Sequence, residues 1–322
     1  AVLVPTGEQP VVQTVESVFE KFRSHSDVSG LRDDISLTAG IAAVQIGRNM
    51  GETLADSDFA LTQAEAGAPY TIKEASSTDL ALPHGKMQWR SWLEACFDNK
   101  RFFLVAQKVI NADGDAIHQE VFVRLKNEDD QIVPAGMFMP MASALNMSEA
   151  VDHTVFELVK EIGEKHSEVP VALNLTASVF SHADALLEFN ALLEHCQRST
   201  TALCVEASHT ILEQFPQMCA QVAESVRTAG FSFGIDNLNL GLSLHDLKTV
   251  RPNYLKINAQ TLYDMTQCDL PAGYQALRTM AKTMDIQLIA VAVDSTEIHD
   301  HLRQLGIDAM QGNLLGAPEA FV

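Results

Sequence analysis

From residue 102 to the end, the chain alternates between short strand-like runs and longer helical patterns. The strand-like runs are 121–125, 171–175, 203–206, 231–236, 254–257, 287–293 and 310–311. Between them, apolar residues recur at helical spacing over 149–165, 183–195, 209–230, 243–250, 272–284 and 297–305. Such alternation predicts strand–helix repeats on a mainly parallel sheet, because parallel neighbours need a crossover that packs back onto the sheet. About eight strands over about 220 residues fit a closed (β/α)8 barrel. An open doubly wound sheet is the alternative, and the absence of a glycine-rich phosphate loop after the first strand counts against it.

Polar residues sit beside these runs: Glu120, Asn174, Glu206, Asp236, Lys256, Asp294 and Gln311. In a barrel, strand ends of one polarity converge on one rim, where such folds keep their chemistry. The set reads as a divalent-metal and phosphate site. Asn174, Asp236 and Asp294 could each cap a following helix, but their shared register with Glu206, Lys256 and Gln311 argues against coincidence.

The first part of the chain reads strand, helix, strand, helix over 1–5, 9–22, 36–46 and 51–67, the last closed by Gly67. Two strands and two helices cannot cover a sheet on both faces, so residues 1–70 read as the second half of a domain. The chain opens at Ala1 in a strand-like run with no initiator Met, which reads as a fragment of something longer. Residues 69–87, rich in Pro, Gly, Ser and Thr, read as a linker. An amphipathic helix with Trp89, Trp92 and Phe97 follows and packs that linker onto the next domain. The expected division is a partial domain over 1–70, a linker and connecting helix over 71–98, and a barrel over 99–322.

A net charge of −20 argues against DNA or RNA as a partner, since broad phosphate-backbone binding needs a basic face. A small anionic ligand needs only a few local cations. No apolar run reaches the roughly 18–20 residues that span a bilayer, and no signal-peptide pattern opens the chain. Five cysteines without a CxxC pair read as buried, reduced thiols in a cytoplasmic setting. His209 reads as a structural residue, with no second histidine at metal spacing, and the other ten histidines read as surface residues. Met137, Met139, Met141 and Met147 read as core or interface filling.

Seven segments, in order and at compatible spacing, resemble the EAL-domain family: EVFVR (120–124) with PAGMFMP (134–140), LNLT (173–176), VEAS (205–208), GIDN (234–237), PNYLKIN (252–258), AVAVD (290–294) and QGNLLGAP (311–318). The N-terminal segments AVLVP (1–5), LTAGIA (37–42) and LADSDFALT (54–62) resemble the second half of a GGDEF, or diguanylate-cyclase-like, domain whose signature loop is not in this chain. The resemblance implies a modified (β/α)8 TIM-like barrel preceded by a partial α/β cyclase-like domain. It also implies cyclic di-GMP as substrate or ligand. In the family two metal ions activate a water for attack on one phosphodiester. By motif match one metal would use Glu120, Asn174, Glu206 and Asp236, and Lys256 would help position the water.

The departures point away from turnover. Asn237 stands where the family has a second aspartate, Asn258 where it has the aspartate after Lys-Ile, Val291 where it has a glutamate, and His209 where it has the last glutamate of its block. The segment Leu238-Asn239-Leu240 replaces a glycine-rich run that couples the metal site to dimer contacts in the family. An amide lacks the charge that holds a hard dication, and valine ligates nothing. Fewer carboxylates also repel a phosphodiester less, so the trend is from turnover toward binding. The expected ligand-binding residues are Gln107, Glu120, Phe122, Arg124, Pro140, Asn174, Asp236, Lys256, Asp294 and Gln311. Arg124 would make charge-assisted bonds to phosphate or guanine, and Phe122 would stack on a base.

The resemblance extends to LapD-type inner-membrane receptors. It implies a catalytically inactive cyclic di-GMP receptor needing no metal, which forms the cytoplasmic portion of an inner-membrane protein. Such a receptor would signal through domain or dimer rearrangement as a homodimer with an output protein partner. Two alternatives stay open: a weak phosphodiesterase using Mg or Mn, and an interaction scaffold that has lost the ligand as well.

Overall fold

The computed structural model of the chain describes residues 11–24, 37–44, 50–65, 70–75, 82–83, 85–163, 169–199, 202–238, 244–267 and 271–321. Two compact units emerge, one from residues 1–102 with 125–147, the other from 103–124 with 148–322. The strand expected at 1–5, the cap at Gly67 and most of the remodelled segment at 238–240 lie outside the described residues.

The first unit holds α1 (Val11–Ser24), β1 (Ala39–Ile41), α2 (Met50–Glu65), β2 (Ile72–Glu74) and α3 (Gly85–Asp98). Strands β3 (Phe102–Asn111) and β4 (Ala116–Lys126) form a hairpin in the second unit, and the chain then returns to the first through β5 (Ile132–Pro134) and α4 (Ala135–Ala144). The stretch read as a linker contains β2, which pairs in parallel with β1 from Ala39↔Ile72 to Ile41↔Glu74. Three residues are too short to give a periodic signal in the sequence. Trp89 is buried in α3, stacked on Phe59 of α2 at 5.4 Å and edge-on to Trp92 at 5.2 Å. Arg90 donates to the Leu145 carbonyl at 3.0 Å, tying α3 to the end of α4.

The second unit continues with α5 (Ser148–Gly163), β6 (Val171–Asn174), α6 (Ala177–Ser181), α7 (Ala183–Ser199), β7 (Leu203–Ser208), α8 (His209–Gln214) and α9 (Pro216–Thr228). After these come β8 (Ser232–Asp236), α10 (Leu244–Val250), β9 (Tyr254–Asn258), α11 (Ala259–Gln267), α12 (Pro271–Thr283), β10 (Gln287–Val291), α13 (Thr296–Leu305), β11 (Ala309–Met310) and β12 (Glu319–Ala320). Eight strands close a ring in the order β4-β6-β7-β8-β9-β10-β11-β3, with β3 paired back to β4. β3 runs antiparallel to β11, and the pairs from β4 through β6, β7, β8, β9 and β10 to β11 are parallel. The modified barrel is therefore the observed architecture, and the open sheet is not.

Period two along each strand separates two cores. Val121, Leu173, Val205, Ile235, Leu255, Ile257 and Leu288 join the helix residues Phe156, Phe189, Val222 and Leu302 in the main apolar cluster. Val109, Ala172, Cys204, Tyr254, Ile289 and Ala309 form a second, smaller cluster. Each fully buried Leu or Phe adds about 1.5–3 kcal/mol of transfer free energy. The pattern read as one helix over 209–230 is two helices. Ser208 caps α8 by accepting from the Ile211 N–H, and Pro216 opens α9, where its missing N–H costs no intrahelical bond.

Candidate functional site

β4 carries His118, Glu120, Phe122 and Arg124 on one face, since side chains two apart point the same way. Asn174 and Glu206 are brought side by side by the β6–β7 register, as are Ser208 and Asp236 by β7–β8. On β9, Tyr254, Lys256 and Asn258 share a face, and Asn258 stands opposite Val291 of β10.

Lys256 is the centre of the arrangement and is fully buried. Its Nζ donates to Glu120 Oε2 at 2.5 Å and lies 2.6 and 2.7 Å from the two oxygens of Glu206. Glu120 also accepts from Asn174 Nδ2 at 2.5 Å and from Gln311 Nε2 at 3.0 Å. Glu206 further accepts from the Tyr254 hydroxyl at 2.8 Å. Burial opposes charge on Lys256, but Glu206, Glu120 and Asp236 together outweigh it and hold the ammonium protonated above the ordinary lysine range. Burial pushes Glu206 up, the charge of Glu120 adds to this, and Lys256 opposes it. Burial raises Asp236 as well, against the pull of Lys256.

Two residues of this network escaped the reading of the sequence. Tyr254 lies one inward step below Lys256, and its ring occupies the space beside Gly234. A Cβ on Gly234 would come within 2.2 Å of that ring. His118, one step below Glu120, is buried and stacks on Tyr254 at 5.1 Å, with Nε2 3.9 Å from Glu206 Oε1. Burial, helped by the charge of Lys256, lowers its pKa to about 3, so the ring is neutral. His118 thus corrects the expectation of surface histidines. Applying period two outward from Glu120 and Lys256 would have found both residues.

The four substituted positions have other occupations. Asn237 donates to Asp236 at 3.1 Å from a backbone with φ of +53°, a conformation that asparagine tolerates better than most residues. Asn258 accepts from the N–H groups of Gln260 and Thr261 at 2.9 and 3.4 Å and so caps α11. Val291 packs against the smaller apolar cluster. His209 is buried at the start of α8, with Nε2 4.0 Å from Glu213 of the next turn.

The other expected ligand residues stand apart from the hydrogen-bonded centre. Asp294 is exposed and accepts the Asn313 N–H at 3.0 Å. Gln107 donates to the Gly316 carbonyl at 2.8 Å and so anchors the segment after Gln311. Arg124 is half-buried, with its guanidinium 5.5 Å from the Phe122 ring centroid and one N–H on the Val123 carbonyl at 3.0 Å. Pro140 lies inside α4 of the first unit.

A dication in the expected first position would need Glu120 and Glu206, and the Lys256 ammonium already holds both. Among the described residues, no three His, Cys, Asp or Glu side chains gather as a metal set. Among the described residues, no helix is long and apolar enough to cross a membrane.

The chain is 25% identical over 245 residues to the cyclic di-GMP phosphodiesterase PdeF of Escherichia coli, a match covering 74% of this chain and 32% of that protein. It is 25% identical over 303 residues to the bifunctional diguanylate cyclase/cyclic di-GMP phosphodiesterase MucR of Pseudomonas aeruginosa, covering 88% of this chain and 43% of that protein. The chain thus spans less than half the length of these curated relatives. Among solved structures, the S helix-GGDEF-EAL portion of Vibrio cholerae LapD, bound to c-di-GMP, superposes with a TM-score of 0.80 at 24% identity, covering 95% of this chain and 74% of that one. The family profile described as the EAL domain matches residues 89–318, more than two thirds of the chain, and the chain belongs to the EAL-domain family.

Proposed function

We propose that this chain is a cyclic di-GMP receptor that binds its ligand at the barrel rim without metal and does not hydrolyse it. The observation that carries this reading is the register that sets Asn258 opposite Val291 at the rim, two positions where the family carries an aspartate and a glutamate. Asn237 likewise offers an amide where the family has a second aspartate. Val291 and the helix-capping Asn258 remove further acidic groups from the same rim. Arg124 and Phe122 supply a cation and an aromatic face on the strand that carries Glu120. Asn174, Asp236, Asp294 and Gln311 supply polar contacts beside them, with Gln107 and Pro140 as the remaining candidate contacts. A homodimer, an output protein partner, the partial GGDEF-like domain over 1–70 and a place on the cytoplasmic side of an inner membrane belong to this proposal. They are supported by the likeness to LapD in fold.

The test is calorimetric titration of cyclic di-GMP with EDTA present, followed by product analysis in Mg or Mn. Micromolar or tighter binding in EDTA, with no linear dinucleotide formed, supports the receptor. The presence of Glu120, Asn174, Glu206, Asp236 and Lys256 together favours a second reading, a weak phosphodiesterase. Binding and turnover that appear only with metal would establish that reading and refute the first.

A further inference from the structure

Behind the β6 end of the site stands a buried carboxylate that the reading above does not use. Asp152 of α5 is 4% exposed. Its Oδ2 accepts from the Thr176 hydroxyl at 2.5 Å and from the Ser178 hydroxyl. The two hydroxyls also meet each other at 2.7 Å, and Thr176 Oγ1 accepts the Ser178 N–H at 3.3 Å. Asp152 therefore grips the first turn of α6, which begins three residues after Asn174. Asn174 in turn holds Glu120, the carboxylate on which Lys256 and Gln311 converge.

We propose that Asp152 is a positioning residue for Asn174, and that loosening its grip on Thr176 and Ser178 lowers the affinity of the rim for cyclic di-GMP. The ligand arm of this proposal rests on the receptor reading.

Ionised, Asp152 makes charge-assisted bonds to both hydroxyls. Protonated, it keeps them only as weaker neutral bonds. Burial pushes the carboxyl up to about 6, against the lowering effect of the two hydroxyls and the Thr176 N–H, and Glu149 adds to the rise. Around it, Glu149 lies 3.9 Å from His182 beyond α6, and His153 lies 3.2 Å from Glu188 of α7.

The first measurement is the Asn174 side-chain amide and the Thr176 and Ser178 backbone amides followed by NMR from pH 5 to 8. In the native chain they should move together with a midpoint near pH 6, and Asp152→Asn should abolish that transition. Cyclic di-GMP titrated in EDTA should bind roughly fivefold more weakly at pH 5 than at pH 8, the difference between a charged and a neutral hydrogen bond. Asp152→Asn should be flat with pH and match the native chain at pH 5. Ser178→Ala, a milder change, should shrink the native pH dependence and serves if Asp152→Asn does not fold. An Asn174 amide that titrates unchanged in either variant overturns the proposal. Absence of cyclic di-GMP binding at every pH would overturn the receptor reading and the affinity effect, and the amide titration would still decide whether Asp152 positions Asn174.

Discussion

Replacing Lys256 by Met tests the reasoning about the site most directly. The side chain is fully buried and touches two carboxylates at 2.5–2.7 Å. Methionine matches its length but leaves Glu120 and Glu206 facing each other with no ammonium between them. Breaking a buried pair in this way costs about 3–5 kcal/mol. Burial already pushes Glu206 up against the opposing charge of Lys256, and without Lys256 that opposition is gone, so the native state binds more protons than the unfolded state. Stability of the variant should then rise as pH falls, and its deficit should shrink from pH 8 toward pH 5. Both tryptophans lie in α3 of the first unit, so their fluorescence is a poor probe of the barrel. Hydrogen exchange along β9, or far-UV circular dichroism in urea, reports on it. If the ammonium takes the place of a dication, millimolar Mn should raise the midpoint of the variant and leave the native chain unmoved. A variant within about 1 kcal/mol of native at pH 7, a margin ordinary for surface changes, would refute the reasoning. So would a deficit that grows in acid, or a response to Mn identical in both chains.

Arg124→Ala should weaken cyclic di-GMP binding by about 1.5–3 kcal/mol, the scale of a charged hydrogen bond. Unchanged affinity by calorimetry would remove Arg124 from the contact set. Gly234→Ala should destabilise the barrel by about 1–3 kcal/mol, because the new methyl meets the Tyr254 ring; adding Tyr254→Ala should recover much of that loss, and equal losses in the single and double variants would speak against this clash. Asp152 carries a proton in the native state up to about pH 6 against an ordinary value of 3.8. The native state thus binds more protons than the unfolded state between those values, and stability contributed by this group falls as pH rises through pH 4–6. Asp152→Asn should flatten that slope in urea titrations.

The barrel was legible because burial imposes period two on its strands and a 3.6-residue period on its helices, and both survive in the bare sequence. Glu120, Asn174, Glu206, Lys256 and Gln311 could be picked out for the same reason, as polar residues beside apolar runs. What failed was the assumption that chemistry sits only at the ends of such runs. Glu120 lies in the middle of β4, and the hairpin with β3 left no helix between them to mark the start of the strand. Tyr254 and His118 were passed over because an aromatic ring and a lone histidine inside an apolar stretch look like filling. Only neighbours on other strands, brought close by register, reveal that they face carboxylates. α11 was missed because its cap, Asn258, had been read as a lost ligand.

The hydrogen bond from Gln311 to Glu120 joins residues 191 positions apart. The ring closes only where β3 and β4 meet the last parallel strands. A chain emerging in order from its N-terminus therefore holds Glu120 and Lys256 without their final partner until residues 309–311 have been made. Contacts this distant in sequence carry a large loop-closure cost and slow the search for the native topology. In the meantime β3 and β10 present unpaired edges, which favour association with other chains. Closure of the ring thus waits on β11, and a molecule that binds at the rim would select those barrels that have closed.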